Sequence, residues 1–272
     1  MKNRDIKSTL VLGSGPDALD ARNFQRDSFE NIVAINNAWR VRGDWDYLIH
    51  PDDFPADRMP AHEPRAEQTI VTSADYVPLQ NQFGGFIYAG GTMAFTAGYW
   101  ALAALKPKIL SFFGCDMTYS KPQTHFYGQG TADPLRVDIS LQSLEAKSAR
   151  LMILAALEGT LCVNLTNSDE TRLVFPKVST SDVANWTKGD FDQALQNLIA
   201  SLDFDAVDAA LATEKRLGYF VESGKYWEQQ EKFDAAKLRD IDALWLDAAG
   251  LNQPIAYPSA HTNSALRTAA AS

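Results

Sequence analysis

STLVLGSGPDALDARNF, residues 8–24, runs from an apolar segment through a glycine turn into a helical signal. Leu10, Val11 and Leu12 read as a buried strand. Gly13-Ser14-Gly15-Pro16 breaks it, and Ala18–Phe24 reads as a short helix, with Pro16 suited to a first helical position. Glycines let a backbone approach a phosphate closely, and a helix N-terminus supplies N–H donors and positive potential. The turn matches G-x-G-x-x-[GA] with a strand before and a helix after. The bland alternative is a tight turn that packing requires.

Outward from this stretch, strand and helix signals alternate. Asn31–Ile35, Asp46–His50, Gln68–Thr72, Lys108–Phe113 and Leu161–Leu165 read as further strands. Thr92–Leu105 and Leu141–Glu158 read as helices. Strands separated by helical patterns, apolar without alternation, predict an α/β fold: a doubly wound, mostly parallel sheet buried on both faces. Beyond residue 180 the strand signal stops. Asp190–Ser201, Phe204–Leu217 and a segment from Tyr226 to Ala249 read as helices. The expected organisation is a nucleotide-binding domain over 1–180, a helical cap or oligomerisation region over 181–252, and a poorly ordered tail over 253–272.

The chain has 272 residues and a net charge of −9, which argues against a general nucleic-acid binder. A small anionic ligand stays open, because a pocket can differ in sign from the whole surface. Cys115 and Cys162 make neither a disulfide framework nor a zinc motif and read as buried thiols. No apolar run of about 18 residues occurs, so no membrane span is expected. The segment MKNRDIKSTLVLG lacks the apolar core of a signal peptide. A cytoplasmic protein is expected, with peripheral membrane association and a homo-oligomer left open.

A nicotinamide or flavin site calls for Asp or Glu roughly 20 residues after the glycine turn, to hold the ribose hydroxyls. This chain has Asn36-Asn37 at the end of its second strand. An amide can bond a ribose or a base edge but is not the usual diol acceptor, so a nucleotide is favoured over a dinucleotide cofactor. Gly90-Gly91-Thr92 then opens a helix, and Gly114-Cys115-Asp116-Met117-Thr118-Tyr119 follows the most apolar strand. In this order, the motifs resemble the bacterial sialyltransferases that use CMP-sialic acid (glycosyltransferase family 42). They also resemble the wider group of motility-associated-factor proteins and hydroxymethylpterin pyrophosphokinase-like proteins. The resemblance spans roughly residues 8–170.

The resemblance implies a Rossmann-like fold holding a nucleotide, with CMP as first guess. Gly13, Ser14, Gly15 and Pro16 would line the phosphate turn, with Ser14 standing where the sialyltransferases often have Asn. Asn36 or Asn37 would contact the nucleotide. Gly91 and Thr92 would offer backbone and hydroxyl donors at a helix N-terminus, and Asp116 would sit at the mouth of the site.

The most polar segment, GCDMTYSKPQTHFYGQGTADPLR over 114–136, follows the most apolar strand and so should form a loop at the active edge of the sheet. Glycosyl transfer needs a base for the acceptor hydroxyl and donors for the departing phosphate. His125 is the candidate base. Tyr119 and Tyr127, with Lys121 or Arg136, suit the phosphate, or the tyrosines are packed aromatics. One register of the resemblance instead puts Gln129 at the family's catalytic histidine, which leaves a shifted His125, a different chemistry or no chemistry. Asp116 either positions a sugar or acceptor, holds Mg²⁺ against a triphosphate, or merely caps a turn. His50 and Asp52-Asp53 lie at another strand's carboxyl edge. No metal-spaced Cys/His cluster is present, and no metal site is expected under the leading reading.

Three functions are therefore carried forward. The first is a sialyltransferase-like glycosyltransferase, taking a CMP-sugar donor and a glycan or glycoconjugate acceptor and requiring no cofactor. The second is a Mg²⁺-dependent pyrophosphokinase-like enzyme. The third is a non-catalytic nucleotide-binding protein. Trp227 and Trp245 are expected in a core or an interface rather than as ligand platforms.

Overall fold

A computed structural model describes Ile6 and residues 8–118, 123–128 and 138–251. The expectations for Tyr119, Lys121, Gln129, Arg136 and the tail lie outside the described residues. The chain has an α/β Rossmann-like fold with C-terminal helices. Six strands, β1 (Ser8–Leu12), β2 (Phe29–Ile35), β3 (Tyr47–Ile49), β4 (Thr69–Val71), β5 (Ile109–Phe113) and β6 (Leu161–Asn164), form one sheet in the order β4-β3-β2-β1-β5-β6. Every strand pair is parallel, and Val11 lies opposite Val33 on one side and Phe112 on the other.

The unbroken apolar strands follow from burial on both faces. Val11, Val33, Leu110 and Phe112 enter one core. Leu10, Leu12, Ile32, Ala34, Ile109 and Phe113 enter the other. The period of two is present, but both faces demand apolar side chains, so it does not show as alternation.

Helices α1 (Ser73–Asn81), α2 (Phe86–Ala89) and α3 (Met93–Leu105) carry the chain from β4 across to β5. Helix α4 (Leu144–Leu157) precedes β6. Then come α5 (Thr180–Asn185), α6 (Lys188–Ala200), α7 (Phe204–Leu217) and α8 (Ala235–Ala248). The long helices fall close to their expected positions, but α1, α2 and α5 were not anticipated. Pro78 inside α1 hides the first of these, and the other two are short. Two further expectations are corrected. The segment after the glycine turn is a 3₁₀ helix over Pro16–Asn23. The expected helix from Tyr226 to Ala249 is split into a 3₁₀ segment, Tyr226–Lys232, and α8. Asp234 causes the break: its carboxylate accepts from the Ala236 and Lys237 amides and starts a new helix.

The helical third does not carry its own separate core. Ile87, Tyr88, Ala146 and Ile153 share a cluster with Val207, Leu238, Ile241 and Trp245. Two buried ion pairs pin α4 to it, Lys147 Nζ to Asp242 Oδ1 at 2.6 Å and Arg150 Nη2 to Glu214 Oε2 at 2.8 Å. No helix among the described residues is long and apolar enough to cross a membrane.

Candidate functional site

From β1 the chain winds toward β2, β3 and β4; β5 then falls on the other side of β1. The connections leaving β1 and β5 therefore diverge, and a crevice opens beyond their carboxyl ends, where ligands bind in such sheets. The two loops that form its floor are stitched together. Gly13 N–H donates to Phe113 O and Gly15 N–H to Gly114 O, both at 2.8 Å. A Cβ on Gly13 would lie 2.2 Å from Gly114 O, and one on Gly15 2.9 Å from the same atom. Gly114 itself has φ 67°.

This changes the meaning of the glycine turn. Its glycines are required by the close approach of a neighbouring backbone, and two of the amides expected to cradle a phosphate are already engaged. What the turn presents to the crevice is Ser14, Pro16 and Asp17 together with the glycine backbone. Gly13→Ala should consequently destabilise the fold by about 3 kcal/mol through overpacking against atoms that cannot rotate away. Gly43→Ala, where a Cβ meets nothing within 4 Å, should leave the melting temperature nearly unchanged. Thermal denaturation of the two variants checks the contrast.

Above this floor lies a cavity of about 1020 Å³. Asn36 enters it from the end of β2. Its φ is 51°, a conformation asparagine tolerates, and its Oδ1 is buried with no hydrogen-bond partner among the described residues. Asn37 is 2 % exposed and is not among the lining residues, although its Oδ1 is likewise unpartnered. Of the two, Asn36 is the one that lines the cavity.

Gly91 and Thr92 both reach the cavity, where the Gly91 amide and the Thr92 hydroxyl already have partners. Gly91 N–H donates to Ser140 Oγ at 3.0 Å. Thr92 Oγ1 caps α3 by accepting from Phe95 N–H at 3.3 Å and points its own proton toward Met117 Sδ at 3.8 Å. Asp116 keeps one oxygen for the fold and one for the cavity. Oδ2 accepts from Thr166 Oγ1 at 3.0 Å, and Oδ1 is buried without a partner among the described residues. An unsatisfied buried carboxylate oxygen is costly in a folded protein and marks a place where a donor is missing.

His125 lines the cavity from a tight reversal, in which its amide and carbonyl exchange hydrogen bonds with Gly128 at 3.0 Å. Phe126 N–H donates to Ser14 O at 3.1 Å and ties this reversal to the glycine turn. His125 Nδ1 lies 2.9 Å from Thr124 Oγ1. Burial holds the imidazole pKa below its ordinary 6.5, so the ring is neutral at pH 7. Tyr127 is not among the lining residues; its ring stacks on His125 at 5.0 Å between centroids. It packs on the face of the imidazole.

Further residues complete the site; of these, Asp52-Asp53 were noted in the sequence, with His50, at a strand's carboxyl edge, and the others were not assigned to it. Asp52 and Asp53 line the cavity, whereas His50 does not: its Nδ1 is 2.9 Å from Pro51 O. Tyr76, also lining, has its hydroxyl pKa pushed up to about 12 by burial, with Asp52 and Asp53 adding to the shift. Asp138, Ser140 and Tyr226 form a linked group, in which Tyr226 Oη donates to Asp138 Oδ2 at 2.6 Å and Ser140 Oγ to Asp138 Oδ1 at 2.7 Å. Residues 223–227 and Gln230, from the helical third, complete the wall. The only sequence signal for that wall was a glycine followed by aromatics in a charged stretch.

Asp17, Asp52, Asp53, Asp116 and Asp138 line the cavity, against Lys225 as the only lysine or arginine among the described lining residues. No three His, Cys, Asp or Glu side chains among the described residues gather as they would around a metal ion. Comparison of the chain with protein-family models, with curated proteins and with solved structures finds no match.

Proposed function

We propose that this chain is a sialyltransferase-like glycosyltransferase, moving a sugar from a CMP-activated donor to a hydroxyl of a glycan or glycoconjugate. The observation that carries the reading is convergence. Ser14, Asn36, Asp116 and His125 come from separate segments and meet in one crevice at the switch point of a parallel sheet. In the proposed reaction His125 takes the acceptor proton on Nε2, with Nδ1–H donating to Thr124 Oγ1. The acceptor oxygen bonds to the anomeric carbon as the bond from that carbon to the phosphate oxygen breaks. The electron pair leaves with CMP. Asp116 Oδ1 accepts a hydroxyl of the bound sugar, and Asn36 bonds the nucleotide.

The lining aspartates supply a reason to favour CMP. A phosphodiester brings a single negative charge near these carboxylates, and a triphosphate brings several. The pyrophosphokinase-like reading needs Mg²⁺ to offset that repulsion. Asp116 could contribute one carboxylate oxygen to a magnesium ion shared with phosphates. Without a cluster of ligands among the described residues, this reading takes second place.

A thermal-shift panel of CMP, CDP, CTP, UDP, GDP, ATP and NAD⁺, each with and without Mg²⁺, tests the choice. CMP at about 100 times its dissociation constant should stabilise the protein by roughly 2.7 kcal/mol without metal. Asn36→Gly, which keeps the backbone conformation but removes the amide, should lose most of that shift. Stabilisation by triphosphates alone, and only with Mg²⁺, would move the assignment to phosphoryl transfer. CMP binding without turnover on any donor would make the chain a binding protein.

Asp116→Asn offers a second, signed check. The amide is the same size and its oxygen can still accept from Thr166. Removal of a negative charge should tighten CMP binding a few-fold, while loss of the carboxylate should lower turnover about a hundredfold. If affinity and turnover fell together, Asp116 would be serving nucleotide binding instead.

A further inference from the structure

Tyr76, Phe86, Trp227 and, beside Gly91, Tyr226 give the cavity aromatic lining in addition to its polar groups. Trp227 is 54 % exposed, more than any other large apolar side chain among the described residues. Its base is rigid. Its ring meets Tyr226 edge-on at 5.5 Å, and Tyr226 is 1 % exposed and stacks on Phe86 at 6.3 Å. The Tyr226 hydroxyl is held by Asp138, and it packs so closely on Gly91 that a Cβ there would lie 2.0 Å away. An indole seated against this buried tyrosine, sharing the cavity lining with Lys225 and Gln230, is a flat apolar surface with polar groups near it.

That combination matches a pyranose ring. One face of such a ring presents C–H groups, which suit the electron-rich face of an indole, while its equatorial hydroxyls point outward to donors and acceptors. The cavity volume, at the upper end of the range for single-ligand pockets, leaves room for a second ligand beside a nucleotide. We infer that Trp227 is the platform on which the acceptor's sugar ring stacks, with Lys225 and Gln230 bonding its hydroxyls. The inference rests on the glycosyltransferase reading for the assignment of that sugar as acceptor.

The experiment is a titration of intrinsic tryptophan fluorescence and melting temperature with methyl β-galactoside, methyl β-glucoside, N-acetylglucosamine and lactose, with and without saturating CMP. It is run on the full chain, on Trp227→Ala and on Trp227→Phe, and each protein's CMP response is recorded alongside. At least one saccharide should shift the emission saturably in the wild type. Trp227→Ala should weaken the saccharide-dependent thermal shift about tenfold and Trp227→Phe only two- to threefold, roughly as expected for loss or retention of one aromatic contact. The CMP response should be equal in all three. No saccharide response in a protein that still answers to CMP would overturn the platform and leave the nucleotide assignment standing. A response undiminished in Trp227→Ala would also overturn it, as would a Trp227-dependent change in oligomeric state without any saccharide response. A Trp227-dependent saccharide response without a CMP response would support the platform and count against the CMP donor.

Discussion

Glu214→Ala should cost about 3–5 kcal/mol, the loss expected when one partner of a buried ion pair is removed. Glu214 Oε1 accepts from Arg150 Nε and from Trp245 Nε1, and Oε2 accepts from Arg150 Nη2, all at 2.8 Å. Truncation leaves the Arg150 guanidinium, 2 % exposed, with only Tyr99 Oη and Phe83 O as hydrogen-bond acceptors among the described residues. A guanidinium does not shed its charge, so the penalty remains in the folded state. For a chain of this length the melting temperature should fall by roughly 10 °C. The double variant Arg150→Met/Glu214→Leu should recover part of the loss, because it removes the stranded charge while leaving the Trp245 N–H unpaired.

The functional consequence lies between α7 and α8. Glu214 ties α4 to both helices, and the cavity wall at residues 223–230 is suspended between them. Limited proteolysis of Glu214→Ala should cut within residues 218–234 before the sheet is attacked. An equally slow cut in wild type and variant would show that this wall holds without the ion pair.

His125→Asn should reduce turnover 10²- to 10⁴-fold, the range for loss of a positioned general base, with the CMP-induced thermal shift unchanged. The pH profile gives the sharper test. With the folded pKa lowered by burial, the acid limb of kcat/KM in the wild type should lie below that of a free imidazole, with the rate falling as pH drops through the lowered folded value. Stability follows the same sign. A histidine with a depressed pKa contributes fully above the unfolded value, and that contribution is lost as pH falls, because the unfolded chain then binds more protons. His125→Asn should abolish this limb in both measurements. Thr124→Val, which removes the Nδ1 partner but keeps the ring, should lower kcat about tenfold and leave KM nearly unchanged. An acid limb that survived in His125→Asn would exclude this histidine as the base.

The legible parts of this molecule were those governed by local rules. Leu10–Leu12 and Ile109–Phe113 could be read as strands because both faces of each are buried. Thr92 could be read at a helix start because a hydroxyl there satisfies an otherwise unpaired amide. The 3₁₀ segment after the turn was read only as a helix, since the same residues serve either geometry. Asn36 and Asn37 illustrate the limit. They are neighbours of one type, and only the left-handed backbone at Asn36 decides that the first faces the cavity and the second the interior.

By itself, the sequence determined the class of fold, the order of its strands along the chain and the carboxyl edge at which a site would form, because hydrophobic periodicity and turn chemistry act over a few residues. Only the tertiary structure decided what those motifs do. It showed that Gly13 and Gly15 let the β5 loop approach, that Asp116 keeps one oxygen without a partner among the described residues, and that Trp227 lines the cavity half-exposed while Trp245 is sealed in a core. These outcomes depend on contacts between residues far apart in the chain, such as Gly13 with Gly114, Gly91 with Tyr226 and Asp116 with Thr166. No local pattern encodes such contacts, because close approach is a property of the packed chain.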